Sequence, residues 1–294
     1  MDIQILSKKW MPLKPVLLKG VREVLSNQHF AIQLLAVTGK HMIPPAKNEE
    51  NTTMEFSASR KMMITDKIPT EKPVRIGLNV VDFTLYILSS RLEELQMGDL
   101  ANHTTTEGFN FIKKHLADYG ANVSAFDLSI DYNLSTGPVD KEKSFSVEYP
   151  SIAEETVKYR ANAKFLLQFF NRVFKHTSDI RVWPHNFCTS SQIFNPVTTK
   201  ENSDRSVEYG FSPQNDTVDE PHFYIKIHVD KNFSYPDPLP DLRGGGRWKE
   251  SDWKGAYLRI SDIWVHDKPE NQFNITSEFF SSGLEAALKM ISKH

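Results

Sequence analysis

The residues best equipped for chemistry lie between Ile180 and Tyr224. Arg181-Val182-Trp183-Pro184-His185-Asn186-Phe187-Cys188 holds a Trp-Pro-His turn and the one cysteine of the chain. His222 and His228 follow. Cys and His are good zinc ligands, so a metal site is one reading. His222 and His228 share strand parity and would face the same way. At strand spacing they stand about 20 Å apart, so at most one of them can join His185 on a single ion. There is neither a second cysteine nor a helical His-x-x-x-His pair, so the block reads better without a metal. Cys188 as nucleophile, with His185 or His222 as base and Asp216 or Asp219 as orienter, is a second reading. None of the local thiol-protease signatures surrounds it, and a free cysteine is usually a buried apolar residue. No catalytic residue is assigned.

Two further patterns carry chemistry. Arg243-Gly244-Gly245-Gly246-Arg247 has the backbone freedom and charge to meet a phosphate. It lacks a Gly-Lys-Ser/Thr ending and a strand-to-helix context, so a flexible linker is the preferred reading. Gly210-Phe211-Ser212-Pro213 lacks the second glycine of a nucleophile elbow. What remains is a ring-rich set: Trp183, His185, Phe187, Tyr209, Phe211, His222, Tyr224 and Trp248. Rings with a few polar groups are the lining that concave ligand sites use, and imidazole adds hydrogen bonding or proton transfer near neutral pH.

The elements that must position these groups can be read from periodicity. Val16–Val37 has apolar residues at three- and four-residue spacing and predicts a helix, entered at Pro15 and stopped by Gly39. Met54–Ser59, Lys61–Thr65 and Val74–Leu88 read as strands, the last bending near Asn79–Asp82. Leu92–Asn102 reads as a polar connection, and Thr104 to Glu107 as the cap of a helix over Gly108–Tyr119. Val123–Ile130 alternates like a strand. Residues 131–150 read as a linker with a Gly137-Pro138 turn. A long helix is expected over Ile152–His176. Strands follow at Ile180–Trp183, Phe187–Phe194, Val207–Phe211 and Phe223–Val229, with a loop over 195–205. Lys231–Lys249 is a Pro- and Gly-rich stretch of the kind that serves as lid, binding loop or disordered segment. Thr276-Ser277-Glu278 predicts the cap of a last helix over Phe279–Ile291. Helix, strands and closing helix occur twice. The expected fold is therefore α+β: two similar halves, 1–130 and 151–294, each a mainly antiparallel sheet with packed helices, the second carrying the candidate site.

Composition bounds the partners. Net charge is −2 over 294 residues, with both signs interspersed, which argues against a nucleic-acid protein. No apolar run approaches the roughly 20 residues of a membrane span, and the first 18 residues lack a secretory apolar core. One cysteine fits a reducing compartment, so a cytoplasmic protein without membrane partners is expected.

The motifs Trp183-Pro184-His185-x-Phe187, Gly210-Phe211-Ser212-Pro213 and Pro221-x-Phe223-Tyr224 together resemble a bacterial family of about this length, known as a domain of unknown function. The resemblance covers most of the chain. It is clearest over Ala161–Tyr224 and at Trp253–Leu258, and looser around Met54–Phe83. That family often has a second His where this chain has Asn186 and an acidic residue where it has Cys188, so a His–carboxylate pair at this spot is not expected here. The resemblance implies no cofactor and no assigned activity. The leading expectation is a small-molecule pocket in the second half. The alternatives are a hydrolase, metal-assisted or not, using His185, and an interaction protein without catalysis.

Overall fold

The structure, a computed structural model, describes residues 6–130, 132, 134, 142–194, 205–229, 233–249 and 253–292. The Gly137-Pro138 turn, most of the expected loop over 195–205 and the start of the proline-rich stretch lie outside the described residues. The chain is α+β and forms two compact units. One comprises Val16–Val157 with Arg181–Phe187. The other comprises Met1–Pro15, Lys158–Ile180 and Cys188–His294.

The first unit holds helices α1 (Leu18–Ala31), α2 (Gln33–Met42) and α3 (Thr105–Asp118). Its strands are β1 (Met54–Ser57), β2 (Met62–Thr65), β3 (Val74–Asn79), β4 (Thr84–Ser89), β5 (Glu94–Asp99) and β6 (Arg181–Val182). They form an antiparallel run in the order β6-β1-β2-β3-β4-β5. The expected single helix is two, divided at Ile32. The second runs past Gly39, because that glycine serves close packing rather than termination. A Cβ there would lie 2.2 Å from the Asn51 carbonyl oxygen. The expected bend near Asn79 is a full hairpin between β3 and β4. Thr104 caps α3 through the reciprocal box with Glu107.

Two expectations in this unit fail. Leu92–Asn102 is not only a connection, since Glu94–Asp99 pairs with β4. Its residues are nearly all exposed, so it carries no alternation to read. Val123–Ile130 alternates but forms no strand. The side chains of Asn122 and Asp127 accept from the backbone N–H of Ser124 and Ser129, closing turns instead.

Helix α4 (Pro150–Val173) gives its residues up to Val157 to the first unit and the rest to the second. The second unit adds β7 (Thr189–Phe194), β8 (Ser206–Ser212), β9 (His222–His228), β10 (Arg247–Lys249) and β11 (Gly255–Arg259). These pair antiparallel in the order β10-β11-β9-β8-β7. Helices α5 (Ile260–Trp264) and α6 (Pro269–Ser292) complete it. Helix α6 starts ten residues before the expected Phe279, by subtraction of the two positions. Pro269 suits a first helical turn, and Thr276 lies inside, its hydroxyl donating to the Gln272 carbonyl at 2.8 Å.

Strand parity sets the chemistry of the second unit. Val207, Tyr209 and Phe211 of β8 alternate with Ser206, Glu208, Gly210 and Ser212. On β9, Phe223, Ile225 and Ile227 alternate with His222, Tyr224, Lys226 and His228. The register aligns the apolar sets across the two strands, Phe211 opposite Phe223 and Tyr209 opposite Ile225. That face packs on α6, where Phe280 stands 6.0 Å from Tyr209 and 5.8 Å from Phe223, ring centre to ring centre. Burying each such side chain stabilises the unit by about 1.5–3 kcal/mol. The polar sets line up on the opposite face.

Candidate functional site

The Trp-Pro-His turn belongs to the first unit. The Pro184 carbonyl accepts from His29 Nε2 at 2.7 Å and from Gln33 Nε2 at 3.0 Å, which pins the turn to the end of α1 and the start of α2. Phe187 takes a positive φ of 55° and is buried, stacked on the His29 ring at 5.4 Å. Trp183 is half-buried and His185 exposed. The rings facing His185 are Trp183 at 6.1 Å and Tyr132 at 6.2 Å.

Tyr209, Phe211, His222, Tyr224 and Trp248 belong to the second unit, and they divide by face. Tyr209 and Phe211 point into the core. The Tyr209 hydroxyl donates to Asn171 Oδ1, which also accepts from Ser191 Oγ at 3.0 Å. Phe211 is fully buried, with the Arg160 guanidinium 5.4 Å above its ring. Arg160 is itself buried and donates to Thr189 Oγ1 at 2.7 Å; burial lowers its pKa from the ordinary arginine value.

His222 and Tyr224 lie on the polar face, both buried. His222 Nδ1 donates to the Glu220 carbonyl at 2.8 Å, and burial pulls the imidazole down to about 4. It is neutral at physiological pH and its carbonyl bond is structural. The Tyr224 hydroxyl donates to Glu208 Oε1, and His228 Nε2 stands 3.0 Å from Glu208 Oε2. Burial alone would raise the Glu208 carboxyl. The bonds from His228 and Tyr224, with the charges of His228 and Lys226, outweigh it and hold the group below the usual carboxylate range. Cys188 adjoins this cluster, its sulfur 4.0 Å from Glu208 Oε1. Burial, reinforced by the Glu208 charge, pushes the thiol up to about 12, which disarms it as a nucleophile at neutral pH. Among the described residues no three His, Cys, Asp or Glu side chains gather as a metal site.

Trp248 leads to the concave site of this unit. It is half-buried, donates its indole N–H to the Pro240 carbonyl at 2.7 Å, and packs on Tyr235 at 5.9 Å. Tyr235 in turn donates to the Lys249 carbonyl at 3.0 Å. These bonds hold the segment from Phe233 to Arg243 beside α6, leaving a groove of about 610 Å³. Pro236, Pro238 and Pro240 form one wall with Phe233. Ser282, Ala286 and Met290, four residues apart on one helix face, form the other. Asp241, Arg243, Glu285 and Lys289 contribute charges of both signs.

The glycine run is a fitted part of this wall. Gly244 has a φ of 67°, and a Cβ on it would lie 2.0 Å from the Ile275 carbonyl oxygen of α6. The backbone N–H of Arg243 donates to Ser282 Oγ at 3.0 Å. The linker reading of this run is therefore corrected: Gly244 allows backbone-to-backbone packing on the helix. The groove residues of α6 were not singled out from sequence. The spacing of Ser282, Ala286 and Met290 was available as a signal, but their partner wall is an irregular segment with no period.

Comparisons with protein-family models, with curated proteins and with solved structures give no match. Among the described residues no helix is long and apolar enough to cross a membrane.

Proposed function

We propose that this protein binds a small organic molecule in the groove between the proline-rich segment and helix α6. The observation that carries the reading is the groove itself. At about 610 Å³ it lies within the roughly 300–1,000 Å³ range of small-molecule sites. Its lining supports a ligand with an apolar body and a charged end. Phe233, three prolines, Ala286 and Met290 would cover the body, and Arg243 or Lys289 would meet an anionic group. Among the ring-rich residues read from sequence, Trp248 serves this site by fastening its proline wall.

Two wider readings go with this one. We read the protein as cytoplasmic, on its single buried cysteine. We also read the two units as copies of one ancestral design, supported by an antiparallel sheet with packed helices in each.

The test uses 1-anilinonaphthalene-8-sulfonate, an apolar ring system with one anionic group. Saturable one-to-one fluorescence enhancement is expected with the intact chain. Ala286→Trp fills the groove and should weaken binding tenfold or more while leaving the urea midpoint near that of the parent. Equal dye affinity in the parent and the filled variant would overturn the proposal.

A further inference from the structure

The polar face of the second unit's sheet carries a cluster that the binding groove does not use. Ser206 and Glu208 of β8 lie opposite His228 and Lys226 of β9 in register. Glu208 is anchored from the inside, because the buried Tyr224 donates to its Oε1. Burial first, reinforced by the neighbouring Cys188 and Glu208, holds Tyr224 well above the ordinary tyrosine value, so it remains a neutral donor. Glu208 is ionised at neutral pH and can only accept. The 3.0 Å contact from its Oε2 to His228 therefore places a hydrogen on Nε2, so that in the neutral ring Nδ1 carries the lone pair. Among the described residues no hydrogen bond to Nδ1 is formed, and the side chain is one-third exposed, at 33%.

This pairing differs from the other carboxylate-paired imidazoles among the described residues. His41 meets Asp127 and His115 meets Asp118, with those carboxylates 64% and 59% exposed. Glu208 is 20% exposed and held by a buried phenol. An imidazole oriented by an anchored carboxylate, in a side chain that remains one-third exposed, is the arrangement of a general base. Lys226, on the same face and opposite Glu208 in register, adds a positive charge to the cluster.

We propose that His228 is a catalytic general base for the hydrolysis of small carboxylic esters, with Glu208 as its positioning residue and Lys226 stabilising the oxyanion. His228 Nδ1 takes a proton from water as the water oxygen bonds to the acyl carbon. The carbonyl electron pair moves onto oxygen beside Lys226. Collapse re-forms the carbonyl and breaks the bond to the leaving alkoxide, which takes the proton from Nδ1–H. Ester and water give acid and alcohol, and the imidazole is regenerated.

The probe is p-nitrophenyl acetate with the full chain. His228→Gln should lower kcat/KM at least tenfold. His103→Gln, at an exposed imidazole of the first unit, should leave it within twofold. Glu208→Gln should lower kcat more than it raises KM and displace the pH midpoint of the rate. Because a change at Glu208 could unfold the chain, nitrogen-15 spectra of the parent supply a second test, with Nε2 protonated and Nδ1 bare at pH 8. Equal rates for His228→Gln and His103→Gln, or a proton on Nδ1 in the parent, would overturn the proposal. Dye binding reads the groove and ester hydrolysis reads His228, so failure of the groove reading and failure of this one are separable.

Discussion

The indole N–H of Trp248 reaches the Pro240 carbonyl at 2.7 Å, bridging β10 to the middle of the proline-rich wall. Trp248 has Ala256 of β11 opposite it in register, so the sheet holds the ring and the ring holds the loop. Trp248→Phe keeps an aromatic ring but removes this donor and part of the indole's packing. A stability loss of at least about 1 kcal/mol is expected, the usual net value of one hydrogen bond. Amide exchange over residues 233–243 should accelerate more than exchange in β8 and β9, and dye affinity at the groove should fall severalfold. Hydrogen-exchange mass spectrometry checks the first and fluorescence titration the second.

The neighbouring glycines should separate close packing from backbone freedom. Gly244 and Gly245 both have positive φ, at 67° and 76°. A Cβ on Gly244 would strike the Ile275 carbonyl oxygen at 2.0 Å, whereas one on Gly245 meets nothing within 4 Å. Gly245→Ala should cost about 1 kcal/mol, the left-handed penalty alone. Gly244→Ala should cost more, on the order of 3 kcal/mol, because backbone must move. Urea unfolding of the two variants measures the difference, and equal costs would remove the close approach from the account.

Much of the fold could be read from periodicity because burial imposes it. The α+β class, the capping box at Thr104 and Glu107, and the paired strands β8 and β9 all follow from alternation or spacing that packing requires. Strand β5 was hidden because it is exposed, and Val123–Ile130 misled because Asn122 and Asp127 close turns within an alternating pattern. At the site, the ring-rich residues were visible as types but not as faces. Tyr209 and Tyr224 look equivalent in sequence, yet opposite parity sends one to the core at Asn171 and the other to Glu208. Register across β8 and β9 decides that, and it depends on pairing that a single strand does not encode.

Cys188 offers a direct check on the electrostatics of the polar face. With its thiol pushed up to about 12, the native thiolate population at pH 8 is roughly a thousandfold below that of an ordinary cysteine. Reaction with a disulfide reagent such as 5,5′-dithiobis(2-nitrobenzoate) should be correspondingly slow in native buffer and complete within the mixing time in concentrated guanidinium. Rapid native labelling would show that the sulfur is neither buried nor beside the Glu208 charge.

His222 contributes to the acid response of the second unit. Its ring is 1% exposed, and the groups around it are Glu220 through a backbone carbonyl, Arg259 on β11, and the Tyr224 and Tyr257 rings. In the unfolded chain the imidazole takes its proton near 6.5, and in the folded protein only near 4. Between these values the unfolded state binds the extra proton, so stability falls as pH falls. The loss starts near 6.5, reaches on the order of 3 kcal/mol, and stops contributing below 4. Glu208 has the opposite protonation chemistry but the same sign. Its folded pKa lies below its ordinary 4.5, so its stabilising contribution is present above 4.5 and lost below it. The two contributions therefore occupy largely separate windows. His222→Gln should lower stability at pH 7 and flatten its decline between pH 6.5 and 4.5, while leaving the fall below 4.5 in place. Urea midpoints at pH 7, 5.5, 4.5 and 3.5 resolve these windows, and a variant whose decline from 6.5 to 4.5 matches the parent would assign that response to another group.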